Sequence, residues 1–598
     1  MTSVASRRRP ARDSAPGGNG LEDVVLHSGF VTRFTVAVRG QGAVLLCAML
    51  LAGCRATPLV EAPAGQAAIG DSAMVVAASP RAARVGASML QLGGNAVDAA
   101  VAVAFTLAVT YPTAGNLGGG GLMLARINGE AVALDFREAA PLAATRDMYL
   151  DESGAATDRS VTGALAVGVP GSVAGLYEAH RKYGALPWRA IIQPAMELAE
   201  YGFRADASFV EDLKDNLERF SPSTKALYAP NGVPYDTGMK FRNADLAKTL
   251  RLIADRGAAG FYEGETADLF VAEMQRGGGI ITHEDLKRYA PKWRKPVEFT
   301  YRGHRILTMP PVSSGGLTLA LTAGVLEGFD LRAMGANSVD AIHVIAEAEH
   351  EAFLRRNTLL ADPDFVTIPT APFVSPDTVQ AIRARISRTG RITRKVPPDP
   401  VRGQHTTHLS VVDAQGNAVA LTTTLNTGFG SAVSVGGAGF LLNNEMDDFT
   451  VSLDAVNQMG LRQGAANAIA PGKRMLSSMT PTIVMDSAGG LLLVTGASGG
   501  ARIITAVLQV MLNVVDFQMP LADAMRAPRF HAQDFPDRID LSTPGIPEEV
   551  AAALEARGHA VRRKDGPLGF GWAQSILRAG GRWHGVSEPR GNGMAVGY

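Results

Sequence analysis

Hydrophobic residues recur at helical spacing through most of the first two-thirds of the chain. In seven segments an apolar side chain returns every three or four positions, as on the face of a helix that packs against a core. Polar residues occupy most of the remaining positions. This pattern predicts helices over residues 80–92, 96–109, 170–183, 188–200, 244–254, 265–275 and 339–355.

Strand patterns appear once early in the chain and then dominate after residue 402. Short apolar segments at 122–127 and 131–136 flank Asn128-Gly129, which is a strong hairpin turn signal. Later hairpins are predicted from paired segments at 407–413 with 417–424, and at 482–485 with 491–495. A final helix is predicted over 501–515, entered through Gly499 and Gly500.

Hairpins bracketed by amphipathic helices are typical of an α+β fold in which two packed sheets lie between helical layers. We therefore expect a four-layer α-β-β-α sandwich. Between the mainly helical region and the β-rich region lies an extended, Pro-rich stretch at 396–404. Such a stretch is a plausible exposed site for cleavage of the chain.

The N-terminal segment has the pattern of an export signal. Arg33 and Arg39 precede an apolar run at 43–52, which ends in Leu51-Ala52-Gly53-Cys54. Small residues before a cysteine resemble a bacterial lipobox, which implies cleavage before Cys54 and acylation of its sulfur. The alternative is an ordinary secretory signal with an incidental cysteine.

These features divide the N-terminal part into a leader over 1–53 and an Ala/Pro/Gly-rich tether over 54–73. The expected location is the periplasmic face of a bacterial membrane as a lipoprotein, otherwise the periplasm. Arg55 after Cys54 provides no aspartate for inner-membrane retention, which favours the outer membrane. Contact with the membrane is expected through the lipid anchor alone.

Composition excludes several classes of function. The chain has 598 residues with 57 basic and 57 acidic side chains, so no net charge favours nucleic acid, and no nucleic-acid partner is expected. Cys47 and Cys54 are the only cysteines, and the eleven histidines show no HExxH pattern. We expect neither a metal nor an organic cofactor.

Thr406 becomes a candidate nucleophile if the bond between His405 and Thr406 breaks. A threonine at the start of a strand is ordinary by itself. Cleavage would, however, place a free α-amine beside the Thr406 hydroxyl, with a reference pKa of about 7.7–8.0. This amine can accept the hydroxyl proton and activate the oxygen without a histidine or aspartate partner.

A glycine pair could stabilise the oxyanion that such a nucleophile creates. Gly499 and Gly500 follow a predicted strand and open a predicted helix, where backbone N–H groups point outward. Glycines let a reacting carbonyl approach these amides closely. A tight turn or a phosphate cradle is the other interpretation, but the Walker-A lysine and the GxGxxG order are both missing.

Several motifs, in order and spacing, resemble the γ-glutamyltranspeptidase (glutathione hydrolase) family from about residue 74 to residue 598. They are Gly93-Gly94-Asn95-Ala96-Val97-Asp98-Ala99-Ala100, Gly118-Gly119-Gly120-Gly121, Asp135-Phe136-Arg137-Glu138, Pro310-Pro311-Val312-Ser313-Ser314-Gly315-Gly316, Asp362-Pro363-Asp364-Phe365-Val366 and the closing Gly597-Tyr598. The resemblance implies an N-terminal nucleophile hydrolase, made as one precursor and self-cleaved. Its large subunit would comprise residues 74–405 and its small catalytic subunit residues 406–598, and both would build the sandwich as a heterodimer.

The resemblance also implies individual roles. Thr406 would be the nucleophile and Thr424 its supporting hydroxyl, with Gly499 and Gly500 as the oxyanion hole. The α-amino end of a glutamyl group would be held by Asn426, Glu445 and Asp448. Its α-carboxylate would be held by Arg137, Ser477 and Ser478. This set of charges suits a γ-glutamyl head, which presents an ammonium and a carboxylate.

The activity implied is hydrolysis or transfer of the γ-glutamyl group of glutathione and related compounds, through an ester on Thr406. Water, an amino acid or a dipeptide would accept the group. Two alternatives remain: an amidase of cephalosporin-acylase type, and a lipoprotein that uses the fold for binding without catalysis. Met459 lies in the expected lid loop, where known members carry an aromatic residue.

Overall fold

The computed structural model of the protein describes residues 57–392, 406–565 and 570–598. The proposed lipidation site at Cys54, the autocleavage residue His405 and the stretch 396–404 lie outside the described residues. The description below concerns the body of the chain from Thr57 to Tyr598.

Two large sheets form the centre of the fold. Sheet I contains β1 (Val60–Pro63), β3 (Met74–Ala77), β4 (Gly120–Ile127), β5 (Glu130–Phe136), β8 (Lys292–Arg294), β11 (Thr406–Val412), β12 (Ala418–Thr424) and β21 (Met594–Gly597), in the order β1-β21-β3-β11-β12-β4-β5-β8. Sheet II contains β2 (Ala67–Gly70), β9 (Val297–Tyr301), β10 (His304–Thr308), β13 (Thr482–Met485), β14 (Leu491–Thr495), β19 (Trp572–Ala579) and β20 (Arg582–Ser587), in the order β2-β20-β19-β14-β13-β10-β9. All these strand pairs are antiparallel.

Short strands complete the β structure. A two-residue strand, β15 (Ala497–Ser498), pairs with β19. Two small sheets lie apart from the large ones; they contain β6 (Phe203–Arg204) with β7 (Lys240–Phe241), and β16 (Phe530–Ala532), β17 (Ile539–Thr543) and β18 (Val561–Asp565).

Helices belong to two groups in the chain. The first group is α1 (Pro80–Gln91), α2 (Ala96–Thr110), α3 (Ser172–Tyr183), α4 (Trp188–Tyr201), α5 (Ala207–Asn216), α6 (Pro222–Tyr228), α7 (Ala244–Arg256), α8 (Ala259–Tyr262), α9 (Glu265–Gly277) and α10 (His283–Arg288). The second group is α11 (Gly315–Leu326), α12 (Leu331–Met334), α13 (Val339–Leu359), α14 (Thr370–Val374), α15 (Pro376–Arg385), α16 (Arg502–Val515), α17 (Leu521–Arg526) and α18 (Glu548–Ala556). In the described parts of the chain, each helix is too short or too polar to cross a membrane.

Strand alternation divides the core into two hydrophobic clusters. On β11, Leu409 and Val411 face the cluster that includes α1 and α2, whereas Val412 faces the cluster shared with sheet II. That second cluster also includes apolar residues of α11, α13 and α16. Helix, sheet I, sheet II and helix therefore follow one another as layers.

The seven helices predicted from periodicity are confirmed, with ends that differ by a few residues at most. The hairpin at Asn128-Gly129 is confirmed as well, and both turn residues have positive φ, 52° and 88°. Strands β8, β9 and β10 were missed inside a region that the pattern described as mostly helical.

The tether predicted over 54–73 is wrong for its described part, residues 57–73. Strand β1 pairs with β21 and strand β2 pairs with β20. The Ala/Pro/Gly composition suggested a flexible linker, but Ala62 and Ala68 are buried in the core. Both alanines belong to the hydrophobic cluster that sheets I and II share, so composition alone gave the wrong expectation.

Candidate active site

Thr406 and Thr424 are brought together by the register of two neighbouring strands. The first residue of β11 is directly paired with the last residue of β12. Since side chains alternate along a strand, both threonines point to the face of sheet I that meets sheet II. Their hydroxyl oxygens are 3.3 Å apart, and both side chains are buried.

The Thr424 hydroxyl is further fixed by the turn that follows it. The backbone N–H of Asn426 donates to Thr424 Oγ1 over 2.7 Å, and Asn426 has a positive φ of 76°. With that donor on one lone pair, Thr424 has its own O–H available for Thr406 Oγ1. This arrangement suits a hydroxyl that supports a neighbouring nucleophile.

Gly499 and Gly500 form the turn between β15 and α16. Their φ values of 125° and 59° lie in the region that favours glycine. The carbonyls of Gly499 and Gly500 accept from the N–H groups of Arg502 and Ile503 as the helix begins. Gly500 lines the cavity that contains Thr406, whereas Gly499 lies directly before it and is not one of the lining residues.

Arg137 also lines this cavity and directly follows β5 in the chain. Its guanidinium pairs with Glu445 through Nη1 and with Asp448 through Nη2, the latter over 2.5 Å. Burial opposes the charge of Arg137, but its carboxylate neighbours, Glu445 first, hold its pKa above the ordinary value. Both carboxylates come from a short 3₁₀ helix, Glu445–Asp448.

Ser477 and Ser478 present hydroxyl groups whose oxygens already accept hydrogen bonds. The backbone N–H of Met479 donates to Ser477 Oγ over 3.1 Å, and Arg356 Nη2 donates to Ser478 Oγ over 3.1 Å. Their own O–H protons remain for another acceptor. Two such donors beside a guanidinium are suited to a carboxylate ligand.

Acceptors for a cation lie close to these groups. Asn426 Nδ2 donates to the carbonyl of Asn444 over 3.0 Å, so its Oδ1 is the atom that can accept from a ligand. Glu445 Oε2 is buried and has no hydrogen-bond partner among the described residues. Burial raises the pKa of Glu445 well above its ordinary value, and a bound ammonium would favour its ionised form.

One cavity joins these groups. Nine of the ten predicted catalytic and binding residues line it: Thr406, Thr424, Asn426, Arg137, Glu445, Asp448, Ser477, Ser478 and Gly500. The described residues contain no cluster of histidine, cysteine and carboxylate side chains that could hold a metal ion. A cavity lined by a pair of hydroxyl groups and by side chains of both charges can bind a zwitterionic acyl donor.

Met459 and Leu461 cover part of this cavity. They pack with Phe353, Ala501 and Ile504 in a small apolar cluster. The segment that carries them contacts the 3₁₀ helix Glu445–Asp448, because Asn457 Nδ2 donates to Asp448 Oδ1 over 2.9 Å. Met459 therefore lines the cavity and is held there by apolar contacts.

Glu138 lies beside Arg137 and has an unusual environment. It is fully buried, neither of its carboxylate oxygens has a hydrogen-bond partner among the described residues, and Oε2 lies 3.7 Å from Arg137 Nη1. Burial raises the pKa of Glu138 to about 7, although Arg137 opposes this shift. The Glu138 carboxyl should therefore gain or lose its proton near neutral pH.

The stability of the protein should depend on Glu138 between about pH 4.5, its ordinary pKa, and about pH 7. A carboxyl whose pKa is raised by folding stabilises the fold at low pH and loses that contribution as the pH rises. We expect Glu138→Gln to gain stability relative to the wild type as the pH increases, by about 1 kcal/mol or more. Thermal melts from pH 5 to 8 would measure the difference, and an offset that is constant with pH would contradict it.

Comparison with known proteins shows the family of the chain. The family described as Gamma-glutamyltranspeptidase matches residues 82–598. The chain belongs to the gamma-glutamyltranspeptidase family. A relative in Pseudomonas sp. (strain A14), named glutathione hydrolase proenzyme, is 43% identical over 555 residues, which cover 90% of this chain and 96% of that protein.

Solved structures related to this gamma-glutamyltranspeptidase family member confirm the predicted fold. Cephalosporin acylase from Bacillus halodurans superposes with a TM-score of 0.79 at 28% identity, covering 89% of this chain and 97% of that one. The Helicobacter pylori gamma-glutamyltranspeptidase superposes with a TM-score of 0.51 at 44% identity, covering 52% of this chain and 90% of that one. The α+β sandwich of N-terminal nucleophile hydrolases is therefore the fold of this chain.

The sequence did not single out four side chains that contact residues of the candidate site. Glu138 was visible only as part of a motif, and Asn457 as part of the lid loop. Arg356 and Gln463 gave no signal, because one lies within the helix α13 and the other in an irregular segment. Their positions behind the cavity emerge only when distant segments are packed together.

Proposed function

We propose that this protein is made as a precursor, cleaves itself before Thr406, and then hydrolyses or transfers γ-glutamyl groups from glutathione and related compounds. The observation that carries this proposal is the cavity that joins the paired threonines to Arg137 and its carboxylates. A γ-glutamyl donor has a carbonyl at one end and an ammonium with a carboxylate at the other. The hydroxyl pair suits the carbonyl, and the charged side chains suit the ammonium and the carboxylate.

The first step forms the mature nucleophile. The Thr406 hydroxyl oxygen attacks the carbonyl carbon of residue 405, the C–N bond of that peptide breaks, and the nitrogen takes a proton to become the α-amine of Thr406. Water then hydrolyses the resulting ester. The products are a large subunit that ends at His405 and a small subunit that begins with Thr406.

The second step transfers the acyl group. Thr406 Oγ1 attacks the γ-carbonyl of the donor, its proton passes to the α-amine, and the negative charge develops on the carbonyl oxygen. When the amide C–N bond breaks, the α-amine returns the proton to the leaving nitrogen, which for glutathione gives cysteinylglycine. Water or the amine of an amino acid or dipeptide then resolves the γ-glutamyl ester.

We expect Gly500→Ala to lower kcat about 10²–10³-fold, as for the loss of one oxyanion donor, because the new Cβ would displace the backbone amide that can face the developing oxyanion. A Cβ there would also strain a left-handed turn. The control is Gly489→Ala in the β13–β14 turn, where φ is 83° and nothing lies within 4 Å of a new Cβ. Steady-state kinetics on processed enzyme would compare the two variants. An equal loss of activity in both would show that backbone strain, rather than a lost oxyanion contact, is responsible.

A donor without the α-ammonium is the second candidate substrate, because a cephalosporin acylase is among the structural relatives. The pair of carboxylates at Glu445 and Asp448 favours a donor that carries an ammonium. A comparison of a γ-glutamyl anilide with a glutaryl anilide tests this choice, since the second lacks only the ammonium. Faster release from the glutaryl compound would favour the acylase activity.

The proposal is tested by intact mass, N-terminal sequencing and turnover of a chromogenic γ-glutamyl anilide. A fragment that begins Thr406-Thr407-His408, together with anilide release, is the expected result. The same fragment without release of either anilide would contradict the γ-glutamyl activity. An uncut, inactive chain would contradict self-cleavage and favour a lipoprotein that binds without catalysis.

We further propose that the mature chain is exported and anchored through an acylated Cys54, at the periplasmic face of a bacterial membrane. The support is the sequence Leu51-Ala52-Gly53-Cys54 after an apolar run. In this case five residues separate Cys54 from β1, which begins at Val60. Labelled palmitate should enter the wild type, and Cys54→Ala should release the protein from membranes. Unchanged membrane association of the variant would contradict the anchor.

A further inference from the structure

Arg356 is a buried cation that does not line the cavity itself but contacts Ser478, which does. It lies near the C-terminal end of α13, and its side chain is completely buried. Four hydrogen bonds to neutral side-chain oxygens use four of its five N–H groups. The acceptors are Ser314 Oγ at 3.0 Å, Asn357 Oδ1 at 2.6 Å, Gln463 Oε1 at 3.0 Å and Ser478 Oγ at 3.1 Å.

These bonds connect Arg356 to both serines that line the carboxylate end of the cavity. One bond goes directly to Ser478 Oγ. The other goes to Ser314 Oγ, which donates in turn to the carbonyl of Ser477 over 2.7 Å. Because Arg356 donates to Ser478 Oγ, the Ser478 proton is directed away from the guanidinium and remains for an acceptor in the cavity.

A third connection reaches the opposite side of the binding pocket. Gln463 accepts from Arg356 through Oε1, and its Nε2 donates to the backbone carbonyl of Asp448 over 2.9 Å. One planar guanidinium therefore fixes the spacing between the serines and the loop that carries Asp448. Lysine has no comparable fork with which to make these bonds together.

Arg356 and Arg137 differ in the groups that surround their guanidinium charges. Arg137 is in contact with carboxylates, whereas the four hydrogen-bond acceptors of Arg356 among the described residues are all neutral. Burial lowers the pKa of Arg356 to about 10, so it stays protonated at neutral pH. Among the described residues no carboxylate accepts a hydrogen bond from Arg356, and the charges of Asp448 and Asp534 only partly oppose the effect of burial. An anion bound beside Ser478 would offset more of the cost of burying this cation.

We propose that Arg356 is a positioning residue that directs the Ser478 hydroxyl, holds the Ser477 backbone through Ser314, and places a positive charge near the α-carboxylate of the γ-glutamyl donor. This inference rests on the proposed function and adds a residue to it. Arg356 does not line the cavity and acts through the serines. It should therefore influence donor binding more strongly than the chemical step.

The test compares processed wild type, Arg356→Gln and Arg356→Lys with a γ-glutamyl anilide as donor. We expect Arg356→Gln to raise KM about tenfold or more, with kcat changed less than about threefold. Arg356→Lys keeps the positive charge but lacks the planar set of guanidinium N–H donors, so it should give an intermediate KM. A fall in kcat with an unchanged KM would overturn the proposal.

Two inhibitors separate carboxylate recognition from a general change of shape. L-Glutamate carries both charged groups of the γ-glutamyl head, whereas 4-aminobutyrate lacks the α-carboxylate. We expect Arg356→Gln to weaken inhibition by L-glutamate about tenfold and to leave inhibition by 4-aminobutyrate within about twofold. Equal weakening of both inhibitors would overturn the proposal.

A milder variant keeps the test available if Arg356→Gln does not fold and process. Ser314→Ala removes the bond from Arg356 Nε and the bond to the Ser477 carbonyl, and leaves the guanidinium in place. It should weaken L-glutamate inhibition about two- to fivefold and spare 4-aminobutyrate, and equal effects on both would overturn the proposal. Failure of the proposed function is distinct, because the wild type itself would then release no anilide.

Discussion

Thr406→Ala is expected to yield an uncleaved and inactive chain. The substitution removes the hydroxyl that attacks the preceding carbonyl, so no free α-amine forms, and it removes the nucleophile for the donor as well. By analogy with the loss of other covalent nucleophiles, kcat should fall on the order of 10⁶-fold. Gel electrophoresis, intact mass and anilide release would be measured on the same preparation. A processed or active alanine variant would refute the assignment of the nucleophile.

Two matched variants show whether the effect belongs to the Thr406 hydroxyl. Thr406→Ser keeps an attacking oxygen and should process and turn over, at reduced rates. Thr407 is the next residue on β11, points to the opposite face, and has a buried hydroxyl without a hydrogen-bond partner among the described residues. Thr407→Val removes that hydroxyl with little change of shape and should stay processed and active.

Arg137→Gln is expected to disrupt both donor binding and folding stability. Without the guanidinium, Glu445, Asp448 and Glu138 would remain together with no contacting cation from Arg137. Breaking a buried ion pair by removing one partner costs about 3–5 kcal/mol. KM for a γ-glutamyl anilide should rise at least about 100-fold, because a charge-assisted contact to the α-carboxylate is also lost.

The stability deficit of Arg137→Gln should depend on pH. Protonation of the clustered carboxylates relieves their repulsion, so the deficit should be small near pH 5 and larger near pH 8. Urea unfolding at the two pH values would measure it. The control is Arg305→Gln, whose ion pair with Glu298 is half exposed and should contribute about 0–1 kcal/mol at either pH. If both variants lost the same stability, the buried cluster would not carry the energy assigned to it.

Local patterns predicted much of the fold because the relevant signals are short-range. Apolar residues at helical spacing located α1, α2 and α7, and the Asn128-Gly129 turn located the β4–β5 hairpin. The pairing of Thr406 with Thr424 follows from one hairpin, so its residues are close in sequence as well as in space. These predictions required no knowledge of how distant segments meet.

Long-range pairing explains what the sequence did not predict. Strand β1 lacks a hydrophobic alternation strong enough to distinguish it from a linker, and its place in sheet I depends on β21 at the far end of the chain. Likewise, Arg356 is separated from Ser478 by 122 positions. On a helix, an arginine usually indicates a solvated face, and only tertiary packing shows that this one is buried.

The alternation of strands in sheet I has a consequence for the cut enzyme. Strands from the part before residue 406 are β1, β3, β4, β5 and β8, and strands from the part after it are β21, β11 and β12, inserted between them. Strands of each fragment therefore form backbone hydrogen bonds with strands of the other fragment within one sheet. Once the peptide bond breaks, the pieces should not exchange with those of another molecule, and they should separate only when the whole body unfolds.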